Sequence, residues 1–82
     1  MKSKIKRTKD EKKMIENISF NLKNIIENYD GEKTYRALGK KTGFTGAYIH
    51  GVIHGNILPS IVALKKLSDS FGVSITEIIN ER

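Results

Sequence analysis

The chain of 82 residues has no cysteine, a single proline and no acidic residue anywhere between positions 34 and 56. Without cysteine there is no disulfide, no thiolate metal ligand and no thiol nucleophile. No apolar run reaches the length of a membrane-spanning helix, and the N-terminus lacks the apolar core of a signal peptide, so a cytoplasmic protein without a membrane partner is expected. Alternating polar and apolar residues are absent too, which argues against strands. No nucleophile–base pair, carboxylate pair or phosphate-cradling glycine loop is visible, so no enzyme is expected. Glu77 and Glu81, four apart, read as a solvated helix face. His50 and His54 are also four apart, but two ligands are too few for zinc, and no metal or other cofactor is expected.

What the chain does hold is positive charge in two places. The formal net charge is +6, of which residues 1–13 contribute +5 and residues 34–56 contribute +3, while 14–33 come to −2 and 57–82 to zero. Clustered cations are the electrostatic footprint of a polyanionic partner. The bland alternative for the leader is a solvated tail that only aids solubility.

At this length the chain makes one small domain that buries about 60–65% of its unfolded surface. Residues 1–9, with Lys2, Lys4, Lys6, Arg7 and Lys9, form a basic arm without apolar periodicity, expected to be disordered when no partner is bound. From Asp10 onward the pattern is helical. Ile15, Ile18, Leu22, Ile25, Ile26 and Tyr29 make one apolar stripe, with Asp30-Gly31 as the stop. Thr34 caps a second helix through Lys41 with Ala37 and Leu38 inward, and Gly43 turns the chain. Thr45 caps a third helix to about Ile53, burying Ile49, Val52 and part of Tyr48. After a loop at Gly55-Asn56 and Pro59, Ser60 opens a fourth helix with Ile61, Leu64, Leu67 and Phe71 on one face, stopped by Gly72. Ser74-Ile-Thr-Glu77 is a capping box for a short fifth helix. The expected fold over residues 10–82 is all-α.

Leu22, Thr34, Leu38, Lys41, Gly43, Tyr48, Ile49, Val52, Gly55, Pro59-Ser60, Leu64, Leu67, Phe71-Gly-Val-Ser74 and the closing Glu77-Ile78-Ile79 resemble the phage-repressor-like helix-turn-helix family, the xenobiotic-response-element type. The resemblance covers about residues 15–80. It implies a five-helix, lambda-repressor-like domain whose second and third helices form the helix-turn-helix. It also implies a transcriptional regulator, commonly a repressor from a mobile element, that acts as a homodimer on an inverted repeat of double-stranded DNA. Half-sites then lie about 34 Å apart.

In the resemblance, helix 45–53 is the recognition helix, and Thr45, Gly46, Ala47, Tyr48, His50 and Gly51 face the groove. Thr34, Tyr35, Arg36, Lys40, Lys41, His54 and Asn56 are the expected contacts to the DNA backbone. Tyr35 takes a position where the family commonly has a phosphate-binding glutamine. For Lys40 and Lys41 the alternative is stabilisation of the helix dipole. Bidentate contacts to purine edges need Arg, Lys, Asn or Gln, and helix 45–53 has none. Gly46, Ala47 and Gly51 therefore suggest close approach to the groove, or else a helix-turn-helix used as a protein-interaction module, such as an antirepressor or antitoxin. Ile53, where many relatives carry glutamate, is expected to be exposed. With Ile57, Leu58 and Ile75, Ile78 or Ile79 it suits a dimer patch; core packing of the fifth helix is the alternative.

Overall fold

The computed structural model describes residues 8–81, and five helices follow one another without a strand among them: α1 (Lys9–Glu27), α2 (Tyr35–Thr42), α3 (Gly46–Ile53), α4 (Ile61–Phe71) and α5 (Ile75–Ile79). Each begins where a hydroxyl side chain can accept an orphan N–H of the first turn. Thr8, Thr34, Thr45, Ser60 and Ser74 are the five caps. Two of them are reciprocal boxes, Thr8 with Glu11 and Ser74 with Glu77. The Thr8 box starts α1 at Lys9, so Lys9 is the first helical residue and not the last of the arm; Lys2, Lys4, Lys6 and Arg7 lie outside the described residues.

Two ends use glycine in the left-handed region: Gly43 at φ 85° closes α2 and Gly72 at φ 68° closes α4. The Asp30-Gly31 stop is not used. Helix α1 ends three residues earlier because the Asn28 side chain donates to the Asn24 carbonyl at 3.0 Å and Tyr29 N–H turns back to Ile26 at 3.0 Å. Gly31 then lies beneath the Tyr29 ring.

One core joins all five elements: Ile18 and Leu22 from α1, Leu38 from α2, Ile49, Val52 and Ile53 from α3, Leu64 and Leu67 from α4, and Ile78 from α5. The short α5 packs against α1 and α4, with Ile78 fully buried. Asn21 on α1 donates to the carbonyls of Ile78 and Asn80, both at 2.8 Å, which satisfies the end of α5. The apolar residues offered for a dimer patch are thus core or core flank: Ile53 and Ile78 are buried, and Ile57, Leu58, Ile75 and Ile79 pack against the core. Ile53 is held from both sides, since Ser19 on α1 donates its hydroxyl to the Ile53 carbonyl.

Among the described residues no helix is long and apolar enough to cross a membrane.

Candidate nucleic-acid interface

Helices α2 and α3 meet at two glycines. A Cβ on Gly39 would lie 2.8 Å from the Gly46 nitrogen and the Phe44 carbonyl oxygen, and a Cβ on Gly46 would lie 3.2 Å from the Tyr35 backbone. The missing side chains let the two backbones touch. Gly46 therefore serves helix–helix contact inside the protein, whereas the sequence suggested that it serves approach to a partner. Thr42 completes the turn, donating its hydroxyl to the Leu38 carbonyl at 2.8 Å.

Gly51 is likewise turned inward. It is buried, and the Ile57 side chain fills the space a Cβ would need. Its carbonyl accepts from the N–H of Asn56 at 2.8 Å and of Ile57 at 3.2 Å, folding the following loop back beneath α3. Tyr48 is half-buried, its ring stacked on Phe44 with centroids 4.5 Å apart, and burial pushes its phenol above the ordinary value. So the groove-facing set narrows. Of the six residues expected on it, Thr45, Ala47 and His50 remain exposed, while Gly46, Gly51 and Tyr48 are occupied by the protein's own contacts.

Just past the helix, exposed His54 extends that stripe, so the outward face of α3 reads Ala47, His50, His54. The physical reason is simple: α3 buries Ile49, Val52 and Ile53, so the opposite side is the one left to solvent.

Tyr35, the first residue of α2, leans across to this stripe. Its hydroxyl lies 2.9 Å from His54 Nε2, and its ring stands edge-on to His50 with centroids 4.9 Å apart. The two imidazoles lie with centroids 4.1 Å apart, their planes tilted by 32°. Sequence reasoning assigned Tyr35, His50 and His54 to three separate contacts; here they form one cluster. The i,i+4 spacing gave the histidine pair, but nothing local signals the tyrosine.

The cations divide. Arg36 and Lys40 are exposed one turn apart on α2 and border a shallow cleft with Glu32, Thr34 and Ala37. Lys41 points elsewhere: its ammonium sits 5.0 Å from the Tyr29 ring centroid and 5.9 Å from that of Phe71. It clamps the ends of α1 and α4 together and is not presented beside α3. Lys66, on α4, lies over the Phe44 ring at 5.4 Å. Thr34 and Thr45 spend their hydroxyls on capping Ala37 and Tyr48 N–H at 3.1 and 3.0 Å. Asn56 is exposed in the loop beyond α3.

Among the described residues no three His, Cys, Asp or Glu side chains are grouped as a metal site. Compared with known proteins, the chain matches no family model, no curated protein and no solved structure.

Proposed function

We propose that this protein is a sequence-specific DNA-binding transcriptional regulator of the phage-repressor-like helix-turn-helix type, most simply a repressor, with α3 as the helix that enters the major groove. The observation that carries this reading is the exposed stripe of Ala47, His50 and His54 on and just past α3, with Arg36 and Lys40 exposed on α2, in a stretch of 23 residues without an acid. A helix with its side chains is about 10–12 Å across and the major groove about 12 Å wide, so a helix of small outward residues can sit deep. His50 and His54 offer hydrogen bonds to guanine N7 or O6, and Ala47 offers contact to a thymine methyl. Phosphates would meet Arg36, Lys40, Asn56 and the first-turn N–H groups of α2 and α3. A homodimer on an inverted repeat belongs to the same reading.

The test is a selection from random duplexes, followed by anisotropy titration of the winner at several salt concentrations. Arg36→Ala and Lys40→Ala are each expected to lower the slope of log K against log salt by about 0.9. Lys41→Ala should leave that slope alone and instead cost stability, about 0.5–1 kcal/mol, because its ammonium is spent on Tyr29 and Phe71. His50→Ala should relax the preference at one base pair by about 1–3 kcal/mol. Failure to enrich any duplex over competitor would refute the proposal. It would favour the second reading, a protein-interaction module, which draws on the lack of Arg, Lys, Asn and Gln along α3.

A further inference from the structure

The Tyr35–His50–His54 cluster has the donor set of a transition-metal site, and we propose that it binds one divalent ion of the copper class. The two histidines alone are a weak pair; the fold supplies a third donor from a different helix. Two ligands held about 2.0–2.1 Å from one ion, at angles between square and tetrahedral, are about 2.9–3.4 Å apart. Tyr35 Oη and His54 Nε2 already stand 2.9 Å apart, joined through one hydrogen. An ion takes the place of that hydrogen: the phenol releases its proton to solvent and both atoms turn their lone pairs to the metal.

His50 completes the set. Its ring is 4.1 Å from that of His54 and 4.9 Å from that of Tyr35, and both histidines are exposed. A rotation about the broad χ2 torsion brings a nitrogen of His50 toward the ion without moving the backbone. Two imidazoles and a phenolate, open to water on the outer side, suit tetragonal Cu(II), which also stands highest for such ligands among the divalent first-row ions. Zn(II) binds the same donors more weakly.

The same imidazoles are the ones assigned above to base edges. On the reading that α3 docks in a duplex, on which this consequence rests, ion and DNA exclude one another and the metal acts as an anti-ligand for the operator.

Titration of the protein alone with Cu(II), followed by calorimetry and visible absorption, tests the site. One equivalent should bind, raise Tm and give a phenolate-to-copper charge-transfer band. His50→Gln and His54→Gln should each weaken binding about tenfold or more. Tyr35→Phe should abolish the band. All three side chains are exposed, and thermal unfolding of each apo-variant checks that it folds like the parent. No band in the parent protein, a band that survives Tyr35→Phe, or an affinity indifferent to both histidine changes would overturn the proposal. Because no DNA is present, such a failure leaves the nucleic-acid reading intact. Duplex binding measured with a chelator present tests that reading without the ion.

Discussion

Ile53→Glu is expected to leave the domain largely unfolded at neutral pH. Ile53 is 7% exposed within the central cluster, so the change removes a buried aliphatic side chain, worth about 2–3 kcal/mol. It also forces a carboxylate toward an apolar interior, at several kcal/mol more unless the group takes up a proton. Together these come to about 4–6 kcal/mol. A domain of this size has about 4–12 kcal/mol in all, and small domains lie toward the lower end.

The pH dependence has a definite sign. Burial raises the folded-state pKa of the introduced carboxyl above its unfolded value near 4.3, so the folded state binds the extra proton. The ionisation penalty is then present above the raised value and relieved as pH falls through it. The loss of aliphatic burial remains at every pH. Ile53→Met, nearly volume-conserving, should cost less than about 1.5 kcal/mol. Urea unfolding of the three proteins at neutral and mildly acid pH decides the matter; a stable Ile53→Glu protein at pH 7 would mean that this side chain faces solvent.

Gly39→Val is expected to lower stability by about 2–3 kcal/mol and Tm by roughly 8–20 °C. The new Cβ would stand 2.8–2.9 Å from the backbone of Phe44, Thr45 and Gly46, atoms that cannot rotate away. Replacing a helical glycine normally gains up to about 1 kcal/mol, and at this position the overlap outweighs that gain. Gly43→Ala makes the contrast. A Cβ there meets nothing within 4 Å, so its cost is the left-handed backbone alone, about 1 kcal/mol. Since Gly39→Val must push α3 away from α2, it should also disturb the Tyr35–His54 contact, visible as a changed environment of the histidine protons by NMR. Greater damage from Gly43→Ala than from Gly39→Val would contradict the backbone contact.

The first prediction falls on a residue that the chain's local pattern misjudged, and the second on one that it did not single out. Helix ends were readable because their chemistry is local: a hydroxyl and the N–H three residues on, or a glycine free to reverse its φ, occupy a few consecutive positions. Thr34, Gly43, Thr45, Ser60, Gly72 and the Ser74–Glu77 box all act where the pattern placed them. The Thr8–Glu11 box was equally readable, and giving weight to it would have started α1 one residue earlier. The core stripe of α1 was legible for a related reason, since several turns repeat the same inward direction. On α4 Leu64, Leu67 and Phe71 do face the core, but Ile61, expected with them, is 73% exposed, because the first residue of that helix lies beyond the reach of the packed elements.

Ile53, Gly51 and Lys41 had no such support. They lie near the ends of helices only eight residues long, where a stripe has two turns to declare itself and a partner from elsewhere settles the direction. For Ile53 that partner is Ser19 on α1, for Gly51 it is Ile57 in the returning loop, and for Lys41 it is the pair of rings on Tyr29 and Phe71.

The histidine pair at one helical turn, the two cationic stretches and the five capped helices could all be written down from the order of residues, because each depends on neighbours a few positions away. That Tyr35 meets both imidazoles, that two glycines press α2 against α3, and that one lysine is withdrawn from the basic face could not. Those contacts exist only once burial of the shared core has brought distant segments together, and a one-dimensional pattern carries no measure of that distance.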